Sequence, residues 1–233
     1  MANRVIDYEL RERLAILKLD DGKANVVSFD FIAQMHEALD RAEQEAQSLL
    51  LVGRPGRFSA GFDMNVMGGG PDEMIRLVSD GCKLLSRMLV YPRPIVAACT
   101  GHALAAGAML LLCSDFRVGA SGEFKIGLNE VAIGLKTPFF LVELAHFRLS
   151  KLHLQRALIQ AEIYSPSTAV DAGFLDGVTE PEKLTDLAIL HARRLAPLPN
   201  TAFAAAKTRA NGDVARRMVE RLADDVASLR ASC

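Results

Sequence analysis

The chain has 233 residues, half of them apolar and about a quarter charged, the balance of a folded protein rather than a disordered one. That length suits one globular domain with an appendage better than two cores. Lys plus Arg number 27 against 28 Asp plus Glu, so no positive excess exists to hold nucleic acid or an anionic membrane. The four cysteines (Cys82, Cys99, Cys113 and Cys233) form no CxxC pair and have no histidines at zinc-finger spacing. They predict a reducing, cytoplasmic compartment and no structural metal. The start, MANRVIDYELRERLAIL, is charged every few residues and carries no apolar signal core.

Segments 4–8 and 12–19 alternate or run apolar on either side of a charged turn, which predicts a hairpin. Ser28 is placed to cap a helix with Phe29, Ile32, Met35, His36, Leu39 and Ala42 near one face. SLLLVG at 48–53 is a short apolar run ending in a Gly/Pro turn, the pattern of a buried parallel strand. FSAGFD follows at 58–63, then the flexible Gly68-Gly69-Gly70-Pro71, whose glycines permit a mobile lid, and a helix over about 72–90. Residues 94–114 contain no Asp, Glu, Lys or Arg, about a bilayer's span. Their character changes midway, however, and predicts a strand at 94–99, a Thr-Gly-His turn and a buried helix at 106–113. Another short strand is expected at 116–119. Strand and helix alternating in this order indicate repeated βαβ units in an α/β fold. From about 136 nearly everything reads helical, with breaks near Ser165-Pro166 and Ala172-Gly173 and a final helix at 213–231.

Two segments share one physical character, a turn of small residues entering a helix after a strand: Ser59-Ala60-Gly61-Phe62-Asp63 and Leu104-Ala105-Ala106-Gly107-Ala108. Small residues allow a ligand close to the backbone, and a helix's first turn offers unpaired N–H groups. Two such donors aimed at one point form an oxyanion hole. Taken alone, each segment reads as tight strand–helix packing rather than as a ligand site.

FSAGFD, TGHALAAG, SDFRV and FKIGLNEVAIGL, in this order, resemble the motifs of the crotonase (enoyl-CoA hydratase/isomerase) superfamily. DGKANVVS at 21–28 and SPSTAVDAGFLDGV at 165–178 extend the resemblance over residues 5–180. It implies a crotonase-like spiral of βαβ turns over 1–180 that holds an acyl-CoA site. A helical region for packing and oligomerisation would follow over 181–233, with assembly as a homotrimer or dimer of trimers. It also implies oxyanion donors at the backbone N–H groups of Phe62 and Ala106, the latter where many relatives have Gly. By the same resemblance the acyl-CoA channel would be bordered by Lys23, Ala24, Val26, Ala60, Gly61, Asp63, Met64 and Gly107. Asp63 reads equally as a polar residue in a helix's first turn.

The family's hydratases use two glutamates. By resemblance the first position is Met109 in this chain and the second is Glu130. Adding water calls for groups that hold and activate it while a proton is delivered, and with Met109 one of them is missing. Moving a double bond from C3 to C2 needs a single acid/base, which matches the Δ3,Δ2-enoyl-CoA isomerase branch. Glu130 would need apolar neighbours to raise its pKa. Leu128, Val131, Leu135, Phe139 and Phe140 are the candidates. Hydratase or other thioester–enolate chemistry, and a noncatalytic acyl-CoA-binding module, are the alternatives. His102 reads as packed or hydrogen-bonded. Lys136 reads as a contact for an anionic substrate or a helix cap, and Lys207 and Arg209 as a solvated face or contacts to CoA phosphates. The expected partner is an acyl-CoA thioester, with CoA entering as part of the substrate and no other cofactor, and with no nucleic acid or membrane.

Overall fold

The computed structural model describes residues 3–230. β1 (Ile6–Arg11) and β2 (Leu14–Leu19) form the expected antiparallel hairpin. β3 (Val26–Val27) leads to α1 (Phe29–Glu45), whose cap is the expected one: Ser28 Oγ accepts the Phe31 N–H at 3.2 Å. β4 (Ser48–Val52), β5 (Gly56–Ser59) and β6 (Gly61–Phe62) precede a short α2 (Met64–Met67) and the long α3 (Pro71–Leu89). β7 (Ile95–Cys99), β8 (Gly101–Leu104) and α4 (Ala106–Leu112) come next, then β9 (Phe116–Ala120), β10 (Ile126–Gly127) and one 3-10 turn at Val131–Ile133. α5 (Phe139–Arg148), α6 (Leu154–Leu158), α7 (Pro166–Ala172) and β11 (Gly177–Thr179) lead to α8 (Pro181–Leu195), α9 (Asn200–Glu220) and α10 (Leu222–Arg230).

The largest sheet runs β1-β2-β4-β7-β9-β11 and is parallel apart from the first hairpin. A second, parallel sheet runs β10-β8-β5, and β3 pairs with β6. Each coil of the chain lays one strand in the large sheet, one or two in the smaller sheets, and then helix, so the coils stack as a spiral. The period-2 alternation of buried strands divides the core between the two faces. Leu49, Leu51, Ile95 and Ala97 pack toward α1 and α3, while Leu50, Val96, Ala98 and Val118 meet Leu184, Ala188 and Ala192 of α8. Cys82, Cys99 and Cys113 are free and buried, and burial pushes their thiols up to about 12. Cys233 lies outside the described residues.

Four expectations are corrected. Residues 101–104 form strand β8 rather than a turn into α4: Gly101 comes so near β5 that a Cβ there would lie 2.0 Å from the Gly56 carbonyl carbon. The expected final helix is two helices divided at Arg221, because α10 turns to deliver Asp225 to the start of α5, where it accepts the Phe139 N–H at 2.6 Å. The helical reading after 136 also missed β11, which extends the large sheet beside β9. Lys207 is neither solvated nor open to a phosphate. It is buried in an ion pair with Asp115 (2.6 Å) that ties α9 to the end of the sheet, whereas Arg209 is exposed. Residues 94–114 are divided among β7, β8 and α4, and no described helix is long and apolar enough to cross a membrane.

The close approach at Gly101 makes a prediction. Gly101→Ala forces backbone against backbone and should cost about 2 kcal/mol or more, read as a lower urea midpoint. An unchanged midpoint would contradict the packing of β8 on β5.

Candidate active site

The site is assembled where the smaller sheets end. β10 terminates at Gly127, whose φ of 156° and close approach to the Glu162 carbonyl exclude a side chain. The chain then runs through Leu128 and Asn129 to Glu130 and a single 3-10 turn, closed at Gly134 in the left-handed region (φ 76°). The Glu130 carbonyl accepts the Leu135 N–H at 2.9 Å, which fixes the tight turn. The Glu130 side chain is thereby directed inward and is only 6% exposed.

It faces a cavity of 280 Å³ whose walls are largely apolar: Phe62, Met67, Val78, Met109, Leu135, Pro138 and Leu229. Glu130 Oε2 is buried without a hydrogen-bond partner among the described residues. Burial is the leading cause of a pKa pushed up to about 7, opposed only by a hydrogen bond from the residue's own backbone. At neutral pH this carboxyl is therefore divided between acid and base, the condition for moving a proton in both directions. Of the five apolar neighbours expected around it, Leu135 lines the cavity. Phe140 and Leu128 are buried elsewhere in the core, Val131 is exposed, and the Phe139 ring stacks under Arg221.

Opposite lie the two small-residue turns. A Cβ on Gly61 (φ 94°) would come within 2.8 Å of Ala105 Cβ and 3.3 Å of the Ala106 nitrogen, so only glycine allows the turns to meet. The Asp63 N–H donates to Val27 in the β3–β6 pairing, so the preceding Phe62 N–H points away from β3. Ala106 is the first residue of α4 and has no intrahelical partner for its N–H. Ala105 just before it holds φ 49°, ψ −124°, a conformation glycine ordinarily takes; such outliers cost about 1–3 kcal/mol and concentrate at functional sites.

Of the residues singled out in the sequence, Ala60, Phe62, Met64, Met109, Glu130 and Lys136 line this one cavity. Met109 is fully buried there. Ala106 adjoins it through Ala105. Gly107 instead serves packing, since a Cβ would lie 2.3 Å from the Ser59 carbonyl oxygen. Asp63 caps α2, accepting the Asn65 N–H at 2.9 Å. Lys23, Ala24 and Val26 lie outside the cavity, with the Ala24 carbonyl accepting the Ala60 N–H at 3.0 Å. His102 is hydrogen-bonded, as expected, its Nδ1 accepting the Lys125 N–H at 2.9 Å. Lys136 Nζ donates to the Ser228 carbonyl on α10 at 3.2 Å. Gly68 ends α2, and Gly70 begins α3 with a φ of 124°. Sequence reasoning missed Asn129, whose buried Oδ1 has no partner among the described residues, and the distant walls Val78 and Leu229. Its signal for Asn129 was adjacency to Glu130 inside a motif already quoted.

The family model "enoyl-CoA hydratase/isomerase" matches residues 9–231. The crystal structure of an enoyl-CoA hydratase/isomerase family protein from Pseudomonas syringae superposes with a TM-score of 0.94 and 38% identity, over 97% of this chain and 98% of that one. Enoyl-CoA delta isomerase 1 of human mitochondria is 26% identical over 91% of this chain and 72% of its own length. Crotonyl-CoA hydratase of Syntrophomonas wolfei is 28% identical over 79% of this chain and 72% of its own length.

The buried carboxyl also has a signed effect on stability. Between the ordinary glutamate value of 4.5 and about 7, the folded protein holds a proton that the unfolded chain has lost, so stability falls as pH rises through this window. Glu130→Gln removes that loss. The variant should exceed wild type in unfolding free energy at pH 8, by an amount on the order of 3 kcal/mol, and the difference should shrink below pH 5. Urea melts at both pH values read it; a pH-independent difference would contradict the burial.

Proposed function

The chain belongs to the enoyl-CoA hydratase/isomerase family, and on that premise we propose that it is an isomerase moving the double bond of a 3-enoyl-CoA to the 2-position. The observation that carries this reading is a single buried carboxyl, Glu130, sharing an apolar cavity with Met109 where the family's hydratases have a second glutamate. The thioester oxygen is held by the N–H groups of Phe62 and Ala106. The Glu130 carboxylate takes a proton from C2, and the resulting dienolate places its charge on that oxygen. The oxygen charge then re-forms the C1–O double bond, the C1–C2 π pair becomes the C2–C3 π bond, and the C3–C4 π pair takes the same proton at C4 from the now neutral Glu130, leaving a C2–C3 double bond and the carboxylate regenerated. Protons and electrons balance without a metal or redox group; CoA arrives as part of the substrate. Apolar walls keep water from the dienolate and keep the Glu130 pKa near the working pH.

In this reading the CoA moiety runs from the cavity mouth along the backbone of Lys23, Ala24 and Val26, beside Ala60, Gly61, Asp63 and Met64. Cytoplasmic location and a homotrimer, single or paired, belong to the same proposal.

One observation favours a second reading, hydration of a 2-enoyl-CoA. Asn129 offers a buried oxygen, unpaired among the described residues, in the same cavity as Glu130, a second acceptor able to hold a water. An assay of purified protein on 3-enoyl-CoA and 2-enoyl-CoA, with products identified by chromatography and mass, separates the two. Wild type should convert 3-enoyl-CoA to its 2-enoyl isomer, and Glu130→Gln should lose at least about a hundredfold in kcat while still binding acyl-CoA. Met109→Glu should raise the small hydration rate. Formation of the 3-hydroxy product by wild type as the faster reaction would overturn the isomerase in favour of the hydratase. Binding without turnover of either substrate would leave only an acyl-CoA-binding module.

A further inference from the structure

The cavity has an open side and a closed one. Met64 and Ile133, 58% and 48% exposed, mark the mouth, whereas Val78 of α3, Met109 of α4 and Leu229 of α10 are buried at its floor. Two of these floor residues belong to the spiral itself. Leu229 comes from the far end of the chain, on a helix held in place by side-chain ties to the segment that carries Glu130. Asp225 accepts the Phe139 N–H at 2.6 Å and the Phe140 N–H at 3.4 Å, at the start of α5. Lys136 Nζ reaches the Ser228 carbonyl, and the guanidinium of Arg221, at the break just before α10, lies 3.7 Å from the Phe139 ring centroid. Thus α10 is fixed by polar contacts at its edge and presents an apolar side chain to the cavity.

From this placement we propose that Leu229, held over the cavity by Asp225, is the residue that limits acyl length, making the preferred substrate a short acyl chain. The inference rests on the acyl-CoA reading above. A volume of 280 Å³ falls just below the range of about 300–1,000 Å³ usual for small-molecule sites, so the side chains closing the floor bear directly on how much acyl chain the cavity admits. Leu229 is the floor residue whose trimming disturbs the spiral least, since it stands on the last described helix and not between sheet and helix.

The test compares wild type with Leu229→Ala, Leu229→Phe and the volume-conserving Leu229→Met. The probes are 3-enoyl-CoAs and saturated straight-chain acyl-CoAs from six to sixteen carbons, the first for kcat/KM and the second for Kd by calorimetry. Wild type should show a maximum at the short end of the series. Leu229→Ala should move that maximum to longer chains and Leu229→Phe to shorter ones, with Leu229→Met tracking wild type. Each methylene that gains a place should tighten Kd about fourfold. Curves that keep the wild-type maximum and differ by one constant factor at every length would overturn the proposal, even if all variants isomerise. A length-dependent Kd that shifts with Leu229, in a protein that isomerises nothing, would uphold the proposal while the isomerase reading fails. Absence of binding at every length would sink both.

Discussion

The site depends on one unfavourable arrangement, a carboxyl group taken out of water and given no charge partner among the described residues. Glu130 is buried, its Oε2 is unpaired among the described residues, and the cavity it faces is walled mainly by side chains such as Phe62, Met109 and Leu229, while Lys136, which lines the same cavity, donates its Nζ to the Ser228 carbonyl. Transfer of a charged carboxylate into such surroundings is costly, so the group answers by holding its proton to a higher pH. A carboxyl that titrates near neutrality is a poor contributor to stability and a good proton carrier. The local backbone explains how the arrangement is held: Gly127 and Gly134 bracket Glu130 with conformations that L side chains rarely adopt, and the turn between them is closed by the Glu130 carbonyl itself.

The second constraint is backbone proximity. Gly61 and Ala105 bring two strand ends together at a distance that a single extra Cβ would prevent, and Gly107 seats α4 against Ser59. Ala105 sustains its unusual dihedrals because the flanking elements leave it no alternative: the Ala105 N–H donates to the Gly127 carbonyl, and the Ala105 carbonyl accepts from Met109. The strand pairing that places Glu130 therefore also places the Ala106 N–H. One hydrogen-bonded junction joins β10, β8 and α4, and the carboxyl and both small-residue turns take their positions from it.

Much of this was legible in the chain, for physical reasons. The hairpin, the buried strands and the Ser28 cap follow from local patterns that their own residues determine. The resemblance to the crotonase motifs implied one site for Met109 and Glu130, and both line the same cavity, each within a few residues of a strand end. Features decided between distant segments were not legible. Residues 101–104 read as a turn because two glycine-containing segments, not local propensity, make them a strand. Lys207 reads as a surface lysine until Asp115, ninety-two positions earlier, is seen beside it at 2.6 Å. The break at Arg221 reflects what Asp225 must reach, and Val78 and Leu229 meet only after α3 and α10 pack. Asn129 was inside a quoted motif, yet its unpaired oxygen has no signature in sequence.

The account turns on whether Glu130 is as desolvated as its surroundings imply. The most direct measurement is a titration of the carboxyl by carbon NMR in protein labelled at glutamate side-chain carboxyls, with Glu130→Gln identifying the resonance. The account predicts one signal, absent from the variant, that titrates near pH 7. A Glu130 signal titrating at the ordinary glutamate value, 4.5, would contradict it, since a carboxyl that ionises so readily is solvated or paired and the apolar site described above would not exist.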